Sequence, residues 1–304
     1  MSKVRSSENP RVVILTRPTQ YDLLLGQHGT LGQARFFLER REQSLEALQE
    51  LHEHQHQALL AVERVIPKDW RRTRISRQEL DRFLFEPSDM ILAVGQDGLV
   101  ANSAKYLQGQ PVIGINPSPR QYAGVLVPHS PQSAAELLHA TAAGNGRIQA
   151  RIMARAKLDD GQQLLALNEI FIGHASHQSA RYKLMWEQQE ERQSSSGLII
   201  STGTGATGWA RSIHQERQST VALPAPTESS LAFFVREAWP SISTGTEITE
   251  GRLEKGSMLQ VISEMDSGGV AFGDGIESDC VQLLWGQKLE IGIAEQRLNL
   301  VMGH

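Results

Sequence analysis

The sequence contains a single cysteine, Cys280, among its 304 residues. One thiol excludes an intrachain disulfide framework and a zinc site built from cysteines. No apolar run is long enough to span a membrane, and the first one, at 12–15, is too short for the hydrophobic region of a signal peptide. These absences predict a cytoplasmic protein with no membrane partner.

Positive charge is not in excess either. The chain has 30 Lys and Arg residues against 34 Asp and Glu residues, with a formal net charge of -4. This balance predicts no nucleic-acid partner, although a small phosphate-bearing molecule needs only local positive charge. With 40% hydrophobic residues, the chain is long enough for two domains that each bury a core.

The first half alternates between strand-like and helix-like segments. Continuous apolar runs at Arg11–Leu15, Met90–Val94 and Pro111–Asn116 are typical of buried parallel strands. The amphipathic region Leu31–Ile66 predicts a surface helix or a helix pair, and another helix follows near 130–146. We therefore predict a Rossmann-like α/β domain over residues 1–146.

After Gly146 the sequence changes to short apolar or alternating segments that are broken by Gly, Asp and Ser. This texture is typical of antiparallel strands joined by turns. We predict a β-sandwich-like domain over residues 147–304, whose last strands can return to the N-terminal domain.

The predicted strand at Met90–Val94 leads directly into Gly95-Gln96-Asp97-Gly98. Ligands bind at the carboxyl ends of strands in open parallel sheets. Gly95 and Gly98 give a backbone that can approach a phosphate beside a helix N-terminus, and Asp97 is an acid that can handle a proton. An ordinary turn explains the same residue types without chemistry.

A second unusual segment follows a short apolar strand near residue 200. Small and hydroxyl residues fill positions 201–208, so backbone amides and hydroxyls can face an oxygen-rich ligand. A flexible linker is the alternative. Because a buried strand precedes the segment and an aromatic residue follows it, we predict a nucleotide-binding loop. Its candidate residues are Ser201, Thr202, Thr204, Gly205 and Thr207, with Trp209 stacking on a base.

Two further segments carry acids in apolar surroundings. Asn168 and Glu169 interrupt the apolar strand Ala166–Gly173, and burial of such a pair is costly without a partner. A ligand rich in hydroxyls explains the pair, as does a strand end or bulge exposed to solvent. Asp274 lies between glycines, where a hairpin turn is the leading explanation. His52 and His56 lack a third ligand nearby, so we predict no metal site in the protein.

These segments, taken in order, resemble the motifs of the ATP-dependent NAD kinase family. The family carries a GGDG loop, a P-x-x-G-I-N strand, an L-N-E strand, a DG-L-I-x-S-T-P-T-G-S-T-A-Y loop and a late DG turn. The counterparts here are GQDG at 95–98, PVIGIN at 111–116, LNE at 167–169, SGLIISTGTGATGW at 196–209 and GDG at 273–275. The resemblance covers roughly residues 88–303.

The resemblance implies transfer of a phosphoryl group from ATP, with Mg²⁺, to the 2′-hydroxyl of the adenosine ribose of NAD or NADH. It assigns the hydroxyl proton to Asp97 and the donor phosphates to the loop of Gly95, Gln96 and Gly98. Asn168 and Glu169 would hold adenine and ribose, and the 201–207 loop would hold nucleotide and phosphates.

Seven positions depart from the family pattern. Gln96 stands where the family has a second glycine, Leu99 replaces a usual Thr or Ser, and Ser196 replaces an aspartate. In the loop that follows, Pro, Ser, Ala and Tyr of the family are replaced by Gly203, Ala206, Gly208 and Trp209. These departures leave two alternatives: a nucleotide-binding protein that has lost catalysis, or a kinase of the same fold for another nucleoside or sugar.

The resemblance also implies a homo-oligomer, a dimer or a tetramer, formed through the β domain. The apolar stretch Ser229–Trp239 offers interface candidates, and an internal core strand is the alternative for the same residues.

Overall fold

The computed structural model describes residues 9–303, so residues 1–8 and residue 304 lie outside it. The prediction that the N-terminal segment is not a signal peptide falls partly on residues 1–8, outside the described range. The chain forms two compact units: one runs up to Gln149 and includes the residues from Asn299 onward, and the other is Ala150–Leu298. The domain boundary predicted near residue 146 stays a prediction. No helix in the described part is long and apolar enough to cross a membrane.

The first unit is a parallel sheet with helices. Its strands are β1 (Arg11–Thr16), β2 (Arg71–Ser76), β3 (Met90–Val94) and β4 (Pro111–Ile115). Its helices are α1 (Gln20–His28), α2 (Leu31–Glu39), α3 (Leu45–Val65), α4 (Asp97–Ala104) and α5 (Ala134–Ala142). The strand order is β2-β1-β3-β4, with parallel pairing throughout. Asn299 and Leu300, near the end of the last strand, pair in parallel with β4.

The core of this unit lies between the sheet and two helices. Side chains at alternate positions of β1, β3 and β4 pack against α3 and α5, and the positions between them, equally buried, point to the opposite face. Burial on both faces explains why the three strands read as continuous apolar runs, as predicted.

The predicted helical region Leu31–Ile66 is a pair of helices. α2 ends at Glu39, and Glu42 adopts a positive φ of 55° in the connection. Ser44 then caps α3, because its hydroxyl accepts the N–H of Ala47. A polar strand, β2, follows and was not predicted, because its exposed arginines hide any apolar pattern.

The second unit is built from antiparallel strands. They are β5 (Arg147–Leu158), β6 (Gln163–Ala166), β7 (Glu169–His174), β8 (Ala180–Trp186), β9 (Gln189–Ser195), β10 (Leu198–Ser201), β11 (Ser230–Val235), β12 (Glu250–Glu254), β13 (Leu259–Ser263), β14 (Gly269–Gly273), β15 (Val281–Leu283) and β16 (Lys288–Met302). One sheet has the order β12-β11-β10-β7-β14-β15, and another joins β9, β8, β13 and β16 and also includes β5 and β6. Helix α6 (Trp209–Arg217) completes the unit.

The two sheets of the second unit pack face to face around one apolar core. Leu198 and Ile200 of β10 point into this core, whereas Ile199 points to the opposite face and packs against Ala210 and Ile213 of α6. The predicted fold class is confirmed: an α/β unit with a parallel sheet is followed by an antiparallel, sandwich-like β unit.

The prediction that Ser229–Trp239 provides an oligomer interface is wrong for most of that stretch. Ser230–Val235 forms β11 between β10 and β12, and all six residues are buried within the chain itself. The core-strand alternative therefore holds for these residues, while Trp239 remains 44% exposed.

Candidate active-site elements

Asp97 is the first residue of α4, which begins directly at the end of the short loop after β3. Its carboxylate accepts three backbone N–H groups from the segment after β4. Oδ2 accepts from Val125 at 3.0 Å, and Oδ1 accepts from Leu126 at 2.7 Å and Val127 at 3.2 Å. Asp97 thus anchors a chain segment about thirty residues away, a role that a simple turn does not require.

The PVIGIN segment shapes the loop that Asp97 binds. A Cβ atom on Gly114 would lie 2.0 Å from the carbonyl oxygen of Leu126, so only glycine admits the loop at this distance. Asn116 donates its side-chain amide to the Tyr122 carbonyl oxygen and accepts the Ser118 N–H, both at 2.9 Å. Both residues therefore shape the backbone of this loop.

Gln96 precedes α4 without capping it. Its side-chain oxygen instead accepts a hydrogen bond from the guanidinium of Arg17, which follows β1. Burial, and then the positive charge of Arg77, lowers the pKa of Arg17 below its ordinary value. Within the same GQDG loop, Gly95 is buried and Gly98 is exposed.

In the second unit, Asn168 and Glu169 lie at a break between strands and not within one. β6 ends at Ala166 and β7 begins at Glu169, so the continuous strand predicted for Ala166–Gly173 is wrong at its start. The pair thus lies at a strand end, as one alternative had it, but it is half-buried and not exposed to solvent. The break leaves the N–H groups of Leu167 and Asn168 without strand partners, and the carboxylate of Asp274 accepts both, at 2.9 and 2.6 Å.

Asp274 contacts the candidate site although its sequence pattern predicts only a turn. It lies in the connection between β14 and β15, as the hairpin interpretation predicts, with a positive φ of 53°. Its own N–H donates to the Glu169 carbonyl oxygen at 3.0 Å. The missed signal was its acidic side chain, since asparagine and glycine satisfy the same turn without supplying a carboxylate.

The Glu169 side chain is an unusually weak acid. Burial, followed by the negative charge of Asp274, raises the pKa of Glu169 to about 7. The carboxyl group can therefore donate or accept a hydrogen bond near neutral pH. This property suits contact with a hydroxyl group, which is both donor and acceptor.

The loop after β10 is fixed on the same break. The Thr202 N–H donates to the Asn168 carbonyl oxygen at 2.9 Å, and the Thr202 hydroxyl donates to the Leu167 carbonyl oxygen at 2.5 Å. That hydroxyl also accepts the N–H groups of Thr204 and Gly205. A Cβ on Gly205 would lie 2.2 Å from the Asn168 carbonyl oxygen, so this glycine is required for the close approach.

This internal bonding corrects part of the predicted binding loop. The hydroxyls of Ser201 and Thr202 are buried and bound to backbone carbonyl oxygens, so they do not face a ligand. The Thr207 hydroxyl donates to the Thr204 carbonyl oxygen. Thr204 differs from them: its side-chain oxygen is buried and has no hydrogen-bond partner within residues 9–303.

Trp209 already has two ring neighbours. Its ring stacks on Phe171, with centroids 5.9 Å apart and an interplanar angle of 9°, and the Arg236 guanidinium lies 5.0 Å from its centroid. The side chain remains 38% exposed. Trp209 already stacks on Phe171, so a nucleotide base would be a second stacking partner. The base-stacking role stays a prediction.

Metal ligands are not clustered in the described part of the chain. No group of three or more His, Cys, Asp or Glu side chains within residues 9–303 could hold a metal ion. His52 and His56 stack with ring centroids 6.5 Å apart, and His52 Nδ1 lies 3.0 Å from the Thr19 hydroxyl.

Comparison with known proteins identifies relatives of one kind. No protein-family model matches the chain. The NAD kinase of Methylococcus capsulatus is 33% identical over 138 residues, which are 42% of this chain and 46% of that protein. The NAD kinase of Chlorobaculum tepidum is 27% identical over 132 residues, with the same two shares. The chain thus spans about half the length of the curated relatives it matches.

Solved structures extend the likeness in fold to nearly the whole chain. Yeast NADH kinase complexed with NADH has a TM-score of 0.63 and 12% identity, over 98% of this chain and 85% of that one. The NAD kinase of Archaeoglobus fulgidus in complex with ATP has a TM-score of 0.59 and 19% identity, over 96% and 93%. The predicted resemblance to NAD kinases is confirmed.

Proposed function

We propose that the protein is an ATP-dependent NAD kinase that phosphorylates the 2′-hydroxyl of the adenosine ribose of NAD or NADH. The observation that carries the proposal is the hydrogen-bonded cluster of Leu167–Glu169, Thr202–Gly205 and Asp274. It joins three segments of the NAD kinase motif series that are distant in sequence. The curated NAD kinase relatives and the NADH and ATP complexes of the structural neighbours support the same substrates.

In this proposal the second unit recognises the dinucleotide. The backbone N–H and carbonyl groups of Asn168 form hydrogen bonds within the cluster. Its half-buried side-chain amide has no hydrogen bond within residues 9–303. That amide and the Glu169 carboxyl supply donors and acceptors for adenine and ribose. The buried Thr204 hydroxyl, which lacks a partner in the described residues, is a third polar group for the ligand.

Asp97 is the proposed acceptor of the ribose hydroxyl proton. A carboxylate has about four lone-pair positions, and the three N–H bonds occupy two on Oδ1 and one on Oδ2. Oδ2 therefore retains a position for the hydroxyl proton. A loose phosphoryl-transfer transition state requires mainly positioning and charge stabilisation, so a carboxylate held in place by three N–H groups suits it.

The reaction breaks the bond between the γ-phosphorus and the β,γ-bridging oxygen of ATP as the ribose 2′-oxygen bonds to the same phosphorus. The hydroxyl proton passes to Asp97, and ADP leaves. Mg²⁺ bound with the phosphates of the donor would supply positive charge that stabilises the transferred group.

A cytoplasmic location and a homo-oligomer complete the proposal. With Ser230–Val235 internal, an interface would have to use exposed apolar residues such as Trp239, Ile242 and Trp285. Light scattering at micromolar concentration tests the assembly, and a monomeric mass would contradict it.

The decisive experiment incubates the purified chain with ATP, Mg²⁺ and either NAD or NADH, and detects the 2′-phosphorylated product by mass spectrometry. Asp97→Asn is the matched inactive variant, and Asp160→Asn, in an exposed turn, is the control. Product from the parent and the control supports the proposal. Binding of NAD without product would instead favour a nucleotide-binding protein or a kinase for another acceptor. The same assay with another nucleoside or a sugar in place of NAD distinguishes these two, because only the kinase would then give product.

A further inference from the structure

A cleft in the first unit lies at the carboxyl ends of β1 and β3 and has both polar and apolar lining residues. Its lining includes Arg17, Thr19, Gln55, Gly95, Gln96 and Tyr122. Gln55 of α3 is buried and donates its side-chain amide to the Val94 carbonyl oxygen at 2.8 Å, which fixes the floor of the cleft at the end of β3. Ligands of open parallel sheets bind at this position.

Arg17 is the cationic group of the cleft. The side chain is half-buried, and its described hydrogen bond joins a terminal nitrogen of the guanidinium to the Gln96 side-chain oxygen. A neutral amide does not compensate the positive charge of Arg17, and most of its five N–H donors have no acceptor within residues 9–303. The bond instead fixes the direction in which the guanidinium points.

The charges around Arg17 do not neutralise it. The groups that act on it are Arg77, a second cation, and Tyr122, and no carboxylate within residues 9–303 forms an ion pair with it. Burial of an arginine beside another arginine costs free energy unless an anion joins them. The cost is relieved when a phosphate enters the cleft, because a planar guanidinium matches phosphate geometry with two parallel hydrogen bonds.

We propose that Arg17, positioned by Gln96, is a phosphate-binding side chain of the nucleotide site at the 95–98 loop. Gln96 is the departure from the glycine of the family motif, so in this chain the loop approaches phosphate through a held arginine and not through a bare backbone. The assignment deepens the proposed function and rests on it for the identity of the nucleotide. The phosphate chemistry stands without turnover.

The test measures binding by calorimetry with four probes: tripolyphosphate, a β,γ-imido analogue of ATP with Mg²⁺, NAD, and adenosine. Arg17→Gln removes the charge, Arg17→Lys keeps it without the planar fork, and Gln96→Gly releases the guanidinium. The control is Arg82→Gln, whose side chain is 88% exposed. Melting temperatures establish that each variant folds.

Arg17→Gln should weaken the phosphate probes roughly 10- to 100-fold, the range for a charge-assisted hydrogen bond, and leave adenosine unchanged. Gln96→Gly should weaken the same probes by a smaller factor, and Arg82→Gln should bind within about twofold of the parent. Losses confined to tripolyphosphate and the ATP analogue assign the cleft to the donor, and a loss confined to NAD assigns it to the dinucleotide pyrophosphate. Either result supports the site.

Phosphate-probe affinities within twofold of the parent for Arg17→Gln would overturn the proposal, as would a parent that binds none of these probes. If Arg17→Gln does not fold, Arg17→Lys and Gln96→Gly decide, since a purely structural link would leave phosphate affinity unchanged in both. In steady-state assays a phosphate-binding role raises KM for the affected nucleotide while kcat changes less. Loss of turnover in the parent with retained tripolyphosphate binding would refute the proposed function and leave this site in place.

Discussion

Two aspartates, one in each unit, occupy similar sequences and use their carboxylates in similar ways. Asp97 and Asp274 are each followed by glycine, and each carboxylate accepts backbone N–H groups from a distant segment of the chain. The residue pattern and the family resemblance predict chemistry for the first and a hairpin turn for the second. The structure gives both an anchoring role, so a catalytic role for Asp97 must be added to anchoring and does not replace it.

The difference between the two aspartates lies in their surroundings. Asp97 sits at the start of α4 and accepts three backbone N–H groups. Asp274 lies close enough to Glu169 to help raise the pKa of that residue to about 7. One carboxylate thus keeps a spare lone-pair position, whereas the other raises the pKa of a neighbouring acid.

The largest expected effect separates anchoring from catalysis at Asp97. In Asp97→Asn the side chain keeps its size but loses one acceptor oxygen, so at least one loop N–H is stranded. We expect turnover with ATP and NAD to fall about 10²- to 10⁴-fold, the usual cost of removing a general base. The free energy of unfolding should fall by about 1–3 kcal/mol. Steady-state kinetics and urea denaturation measure the two effects.

Asp97→Asn turnover within about threefold of the parent would leave Asp97 as an anchor alone, because that loss is far below the cost of a lost general base. Asp274→Asn is the matched comparison, since it makes the same chemical change at an anchoring aspartate. Similar losses of stability with unequal losses of turnover would establish that Asp97 has the additional role.

Asp274→Asn should itself destabilise the protein by about 1–3 kcal/mol, because the N–H groups of Leu167 and Asn168 share one remaining acceptor. The second consequence is electrostatic: removing the Asp274 charge should lower the pKa of Glu169. Urea denaturation measures the first, and an NMR titration of the Glu169 carboxyl carbon measures the second. An unchanged pKa would mean that burial alone raises it.

The elements with strong apolar patterns could be predicted from the sequence. β1, β3 and β4 are continuous apolar runs because both of their faces are covered, and the change to short segments after Gly146 indicates the antiparallel unit. β2 could not be predicted, since Arg71, Arg72 and Arg74 face solvent. An apolar sequence pattern reflects burial, and an exposed edge strand such as β2 has little of that pattern.

The candidate site was predictable in residue type but not in bonding. Local sequence does not reveal that Asp274 satisfies the strand break at Leu167 and Asn168, because the partners are 106 and 107 residues apart. For the same reason the sequence predicts that the Thr202 hydroxyl faces a ligand, whereas it donates to the Leu167 carbonyl oxygen. Long-range contacts decide which polar groups remain for a ligand.

Asn168→Ala tests a polar group that anchoring leaves unused. The backbone of Asn168 makes the contacts with Asp274 and Thr202, so truncation of its side chain should leave the melting temperature unchanged. NAD affinity should weaken by about 1–3 kcal/mol, the cost of a lost partner for a buried polar group. Calorimetry with NAD checks this, with Gln163→Ala on the exposed end of β6 as control. Equal NAD affinity would remove Asn168 from the site.

The smallest expected effect is a pH dependence of stability that originates at Glu169. Its pKa is about 7 in the folded chain against an ordinary value of 4.5, so between these values the folded state binds more protons than the unfolded state. Stability therefore decreases as pH rises through this window, and the Glu169 contribution is complete below about pH 4.5 and lost above about pH 7. Glu169→Gln cannot titrate and should remove this part of the slope. Urea denaturation from pH 5 to pH 8 compares the parent with Glu169→Gln and with Glu295→Gln, an exposed control. The same slope in Glu169→Gln and the parent would show that Glu169 ionises at its ordinary pKa. Asp274 would then have no electrostatic effect on Glu169 and would differ from Asp97 only in the segment that it anchors.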